Sequence, residues 1–293
     1  VAAAALAACT KDAPRTDAPG SPASAATAAL PATPPPATSV PASDGGEPKP
    51  RCRFIAAIGD IRVADGGERL TSAQEVPDGL FAVAAGAKCT VKNPSTGREA
   101  SFEGPGRARA CVGGASEGEA WLVGGSYAAA PGAGEKPGAE DWVVTPFGVV
   151  RYASAHVKLV LGKDSAELRV ATGSARVFGK VLPGDAGAVP AADGDGWTPL
   201  AGPVNVTLRA SGDAKSVVDA CVSAAKEASA LAAQVVKPDA ALGTLAAAHV
   251  RARQRARARC ALARVVAEVQ SGPAGAALRA RAAEADEQWR IVP

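Results

Sequence analysis

Residues 141–179 read "DWVVTPFGVVRYASAHVKLVLGKDSAELRVATGSARVFG", and the parsing of this stretch decides the fold. In "AHVKLVLG" and "AELRVATGSARVFG" apolar and polar side chains alternate, the pattern of strands that bury one face. A turn with Pro146 and Gly148 precedes the first of these runs, and the charged gap "GKDS" separates the two.

The same texture extends over residues 51–211. "FIAAIGDIRVA", "GLFAVAAGAKCTVKN", "GEAWLVGGSYAAA" and "PVNVTLRASG" are short Val-, Leu- and Thr-rich runs broken by Gly, Pro and Asp. Turn signals at intervals of about ten residues predict a sandwich, roll or barrel rather than βαβ units. Two stretches run in parallel order, "NPSTGREASFEGPGRARA…GEAWLVGGSYAAA" and "VTPFGVVRYASAHVKLV…SAELRVATGSARVF", offset by about 50 residues. Each gives a turn with Pro and Gly, a strand, a Gly/Ala corner, a strand, a charged gap and a Leu-Val strand. Few positions are identical, so this is a weak internal duplication.

Residues 141–179 resemble the FecR-like domain, the periplasmic β-rich region of regulators in iron-citrate signalling. The resemblance rests on a "TP-G" turn leading into a strand, then a Leu-Arg-Val strand with a Gly-containing return: Thr145, Pro146, Gly148, Leu168, Val170, Gly173 and Val177. The segment around Gly184, Trp197 and Gly202 is similar to the family's closing part, and "IGDIRVADGG…VPDGLFAVAAGAKCTVKNPSTGREASF" to its opening part. About 150 of the 293 residues are covered. These motifs are turns and strands, so they imply a fold and an extracytoplasmic module that engages a partner or an envelope polymer. The family's cytoplasmic anti-sigma segment and membrane helix have no counterpart in this sequence, so the sigma-factor role does not carry over.

From Asp213 the period changes. Val218, Cys221, Val222, Ala225, Ala228 and Ala232 fall at helical spacing after a start signal at Gly212 and Asp213, and Lys237-Pro238 ends the helix. A second helix follows a cap at Asp239 and runs to about Gln270; a third, from Ala274, aligns Leu278, Ala282, Ala285 and Trp289. Short connections predict a helical hairpin or three-helix bundle over 212–293. Cys221 lies 17 residues before Pro238 and Cys260 lies 22 after it. Helices folding back there bring both to similar heights, which suits a disulfide; two buried thiols packing as small hydrophobes are the alternative. Ala252, Ala256, Cys260, Ala263 and Ala267 form a small-residue stripe on the second helix.

That helix also carries "HVRARQRARARCALAR", with Arg251, Arg255 and Arg259 on one face and Arg253 and Arg257 on an adjoining one. A solvated outer face is the expectation. The functional alternative for Arg251, Arg255 and Arg259 is an anion contact with lipid headgroups, anionic glycans or an acidic partner. Nucleic acid is not expected, because no aromatic platform accompanies the charge.

At the other end, "Leu6-Ala7-Ala8-Cys9" closes a short Ala-rich run and resembles a bacterial lipobox. Small residues at 7 and 8 enter a peptidase cleft in extended form, and a thiol accepts diacylglycerol. Residues 1–9 then read as the remnant of a signal peptide, with Cys9 as the lipidation site. Residues 10–50 are Pro-, Ala-, Ser- and Thr-rich without periodicity, the composition of a disordered, semi-stiff spacer. Exposure to an oxidising compartment would favour disulfides. Of the five other cysteines, Cys52, Cys89, Cys111, Cys221 and Cys260, one is left over, and the pairing of the first three stays open.

Chemistry is sparse. The net charge of +3 is too small to imply nucleic acid by bulk attraction, and aromatics make up 4% against 47% hydrophobic residues. His156 sits in the strand "SAHVKLV" and His249 beside arginines on a helix; neither belongs to a nucleophile motif, and "GGSYA" is not the G-x-S-x-G elbow. "GPGRARA" lacks the Lys-Ser/Thr of a phosphate loop. Asp193-Gly194-Asp195-Gly196 resembles part of a calcium loop but lacks the closing Glu, so a polar turn is expected. Glu140 and Asp141 fall in a Gly/Pro-rich loop with nothing to bury them. No catalytic residue, metal or cofactor is expected, and the protein is not expected to be an enzyme.

The sequence therefore points to a mainly β domain followed by a helical bundle, acting as a membrane-anchored binding or scaffolding lipoprotein of the envelope. Its membrane contact would be the lipid on Cys9, and its other partner an envelope protein or anionic polymer. The alternatives are an envelope signalling subunit that relays to a membrane partner, and a cell-envelope hydrolase.

Overall fold

Val149, Val150, Tyr152, Ala155, Val157 and Leu159 are all buried, and the strand that carries them organises the molecule. The computed structural model describes residues 51–64, 66–94, 96–112, 118–132, 138–184, 188–235 and 242–290. The expected lipidation site Cys9, the spacer 10–50 and the breakpoint at Pro238 and Asp239 lie outside the described residues.

β1 (Arg53–Ile58), β2 (Ile61–Val63), β3 (Phe81–Val83), β4 (Lys88–Lys92), β5 (Glu99–Glu103), β6 (Gly106–Val112), β7 (Glu119–Leu122) and β8 (Ser126–Ala130) come first. β9 (Asp141–Thr145), β10 (Gly148–Leu161), β11 (Ser165–Pro183), β12 (Trp197–Ala201) and β13 (Val204–Arg209) follow. The main path runs β1-β4-β5-β8-β10-β9-β7-β6-β3-β2, and β11 flanks β10 while pairing with β12 and β13. Pairing is antiparallel except for β7 beside β9. The segment after β2 links the two ends of the path: Leu70 N donates to Ile61 O at 2.7 Å and Phe54 N to Gln74 O at 3.0 Å. The sheet thus curls into a nearly closed roll.

The duplication is one of topology. In the first copy β4 and β5 form a hairpin, β5 turns a corner into β6, β6 pairs with β7, and β8 returns beside β5. In the second, β9 and β10 form the hairpin, the far half of β10 pairs with the near half of β11, and the far half of β11 returns beside the start of β10. The core-facing pair Phe102↔Tyr127 in one copy corresponds to the core-facing pair Tyr152↔Ala175 in the other. The second copy differs in that its corners are bends within continuous strands. β10 bends at Ser154 (φ 46°) and β11 crosses it at Gly173 (φ 79°). A Cβ on Gly173 would stand 2.7 Å from Ser154 O and 2.8 Å from Ala155 Cα, so only glycine permits this crossing. The "TP-G" turn is closed by Thr145, whose Oγ1 donates to Gly148 O at 3.0 Å and accepts from Phe147 N at 3.2 Å.

Inside the roll Phe54, Phe81, Phe102 and Tyr127 stack edge to face in a ladder with centroids 5.3–5.4 Å apart. Cys52 and Cys111 are disulfide-bonded, and Cys89 is the leftover buried thiol. Burial pushes the Cys89 thiol up to about 12, which makes it a packing group rather than a nucleophile.

α1 (Ala214–Val235), α2 (Leu242–Glu268) and α3 (Gly272–Arg290) follow the strands. Asp213 caps α1, its Oδ1 accepting from Ser216 N at 2.7 Å. The helices form a bundle: Ala252, Ala256, Cys260 and Ala263 of α2 pack on Val218, Cys221, Ala225 and Ala228 of α1 and on Ala282, Ala285 and Trp289 of α3. Cys221 and Cys260 are bonded across it. A second face of α2, with Ala258, Ala261, Leu262, Val265 and Val266, packs on Trp121, Trp142, Val144, Val149 and Trp197 of the roll. The helices therefore continue the core outward, and α2 is apolar on two sides because it is sandwiched between bundle and sheet. No described helix is long and apolar enough to cross a membrane.

Candidate functional site

Arginine alternates with alanine along α2 because the small residues fill its two packed faces, leaving the long side chains to emerge along the seams. Arg257 lies over the Trp142 ring at 4.2 Å and Arg264 over Trp121 at 4.8 Å, with Arg109 of β6 over Trp121 at 5.0 Å. In each pair the guanidinium itself lies over the aromatic face. Arg264 Nη1 donates to Asp286 Oδ2 of α3 at 2.9 Å.

The solvated outer face expected of this run is corrected by that packing. Of Arg251, Arg255 and Arg259, only Arg251 is exposed. Arg255 Nη1 donates to Asp195 Oδ1 at 3.2 Å, and its Nη2 donates to Glu227 Oε1 of α1 at 2.6 Å. One guanidinium thus ties the loop before β12 to two helices, so its charge is met from within the chain. Arg259 makes no ion pair among the described residues and lines a cleft of about 770 Å³ with Phe178, Ser216, Val217, Arg255 and Leu262.

The Asp193–Gly196 stretch forms the opposite wall of that cleft. Asp193 Oδ1 accepts from Asp195 N at 3.0 Å and from Trp197 N at 2.9 Å, and Asp193 Oδ2 pairs with Arg176. The Trp197 N–H foremost holds the Asp193 carboxyl below its usual range. Its lone pairs are occupied by the turn, as a structural loop requires. The cleft brings together two features singled out in the sequence, and it can hold a small anion at Arg259 against the apolar wall of Val217 and Leu262.

Two buried polar groups were not legible as such. Asp141 opens β9 rather than lying in a loop, and it is buried. Arg98 Nη1 donates to its Oδ2 at 2.8 Å, with side chains 2% and 9% exposed, and to Tyr152 O at 3.4 Å. Glu119 is buried beside Trp121, whose Nε1 donates to Glu119 Oε1 at 2.8 Å, and Arg257 Nη2 lies 3.8 Å from its Oε2. Burial pushes the Glu119 carboxyl up, against the opposing pull of Trp121 and Arg257. The available signal was the continuous apolar character of "EAWL" and "DWVV", which marks strands covered on both faces.

His156 stands exposed on the sheet far in sequence from His249 on α2, and neither hydrogen-bonds to a described serine, threonine or cysteine. Among the described residues no three His, Cys, Asp or Glu side chains converge into a metal-sized cluster.

No family model and no curated protein matches the chain. Two crystal structures of a "putative anti-sigma factor from Parabacteroides distasonis ATCC 8503" are similar to it, with TM-scores of 0.32 and 0.31 and identities of 11% and 10%. Each alignment covers 48% of this chain and 64% of the other, so the chain spans less than two thirds of their length.

Proposed function

We propose that the chain is an extracytoplasmic binding or scaffolding module of a bacterial envelope, carried by a lipid on Cys9 and held off the membrane by residues 10–50. In this reading the β roll is a FecR-like domain, supported by the Thr145-closed turn, the Gly173 crossing and the repeated strand order. The observation that carries the reading is the pair of disulfides, Cys52–Cys111 in the roll and Cys221–Cys260 in the bundle. Structural disulfides in both halves fit an oxidising compartment and not a reducing cytosol. Each closes a long loop, and by the chain-entropy model each adds about 4 kcal/mol of stability that a reducing environment would forfeit.

The experiment is labelling of a bacterium expressing the complete precursor with a radioactive fatty acid. Wild type is labelled and sediments with membranes, whereas Cys9→Ala is unlabelled and released. Thiol alkylation of the same extracts finds the four bonded cysteines unreactive until reductant is added. Equal labelling of the two proteins, or ready alkylation without reductant, would overturn the reading.

A further inference from the structure

Away from the helices, the outer surface of the roll places two cations where a strand pair ordinarily avoids them. Lys158 on β10 is directly opposite Arg169 on β11. Like charges in this position repel at the close Cβ spacing of paired strands. Both side chains are exposed, and among the described residues neither has an ion-pair partner. The row continues through Ala128 on β8 and Ser101 on β5 to Thr90 on β4. Short side chains therefore lie beside long basic ones, and the surface is hollowed into a groove of about 530 Å³ lined by Thr90, Ser101, Ala128, His156, Lys158 and Arg169, together with Glu99, whose carboxylate is paired with Lys92 at 3.6 Å. The Thr90 and Ser101 hydroxyls are 3.0 Å apart and hydrogen-bonded to each other.

The class of occupant follows from what the groove offers. β4, β5, β8 and β10 are each hydrogen-bonded on both sides, so no strand edge is open for an added peptide strand. The floor has no aromatic or large apolar anchor of the kind on which protein interfaces depend. It offers a hydroxyl pair, a flat run of small side chains and two cations without an ion-pair partner, its one carboxylate, Glu99, being held by Lys92. We propose that this groove binds an anionic polysaccharide, with Lys158 and Arg169 pairing its carboxylates and Thr90 and Ser101 meeting its hydroxyls. The proposal rests on the envelope-module reading only for where the polymer is met; the chemistry of the groove is independent of it.

The test measures binding of the purified full chain to polygalacturonate, with neutral dextran of matched length as the comparison. Wild type binds polygalacturonate in a salt-sensitive manner and does not bind dextran. Lys158→Gln/Arg169→Gln loses at least about tenfold in affinity, as expected on removing charge-assisted hydrogen bonds. Its unliganded thermal midpoint does not fall, because a repulsion has been removed. Lys88→Gln/Arg209→Gln removes the same charge from the same sheet outside the groove and changes affinity less than about twofold. Absence of wild-type binding overturns the proposal, as do equal losses in the two double variants. Polyglutamate that binds more tightly, with the same variant dependence, overturns the polysaccharide in favour of an acidic protein segment. Because binding is read on purified protein, its failure leaves the lipid-anchored module standing, and failure of Cys9 labelling leaves the groove standing.

Discussion

The two halves of the roll's outer surface are made by the same strands and behave differently. β10 contributes to both, with Val149 and Arg151 facing outward before its bend at Ser154, and His156 and Lys158 after it. On the first half Val149 joins Trp121, Trp142 and Trp197, and α2 covers them. On the second, His156 and Lys158 join Thr90, Ser101 and Ala128, and no described element covers them. Side-chain size explains the split. Three tryptophans supply enough apolar area to hold a helix against the sheet, whereas threonine, serine and alanine supply almost none and leave the neighbouring cations hydrated. One sheet thereby has a side packed under α2 and a side that no described element covers.

The largest effect expected from this contrast is on packing. Trp142→Ala opens a cavity between α2 and the sheet and costs about 4 kcal/mol in urea titration. Thr90→Ala on the uncovered half changes stability by less than about 0.5 kcal/mol. Similar losses at the two positions would break the comparison.

A second expectation sharpens it through pH. Glu119 lies under the α2–sheet seam, where burial pushes its carboxyl above the ordinary value of about 4.5. A raised folded-state value favours the protonated form. Its stabilising contribution is therefore complete below about 4.5, the unfolded value, and is lost as pH rises through the folded value. The loss amounts to about 1.4 kcal/mol for each unit of displacement. Glu119→Gln removes this dependence, so the difference in unfolding free energy between wild type and variant changes with pH above 4.5 and not below it. A constant difference across the range would show that folding leaves the Glu119 carboxyl at its ordinary value.

The smallest effect separates arginines one helical turn apart. Arg255→Gln removes the link between Asp195 and Glu227 and costs about 1 kcal/mol. Arg251→Gln, at an exposed position, changes stability by less than about 0.5 kcal/mol. Equal values would return the arginine run to the solvated face that its spacing suggests.

Much of the architecture was legible because it depends on local geometry. Alternation in "AHVKLVLG" follows from the two-residue period of a strand, and Val218, Cys221, Ala225 and Ala228 follow the 3.6-residue period of a helix. The helix limits at Asp213 and near Gln270 were readable from a capping carboxylate and a Ser-Gly-Pro stop. The Cys221–Cys260 bond was readable because two helices of known length folding back at one point fix relative heights. The site was legible only in pieces. Arg255 and the Asp193–Gly196 stretch each stood out, but not their meeting across 60 residues of chain.

Sequence by itself thus determined the elements, their buried faces, the turn at Thr145 and the bundle that follows the strands, since these are set by backbone periodicity and by residues within a few positions of one another. Tertiary structure alone decided which of Cys52, Cys89 and Cys111 stays free, that Asp141 and Glu119 are buried, and that the arginine helix lies on the tryptophans. Those outcomes depend on which surfaces meet, and that is fixed by the combined area and charge of groups distant in the chain.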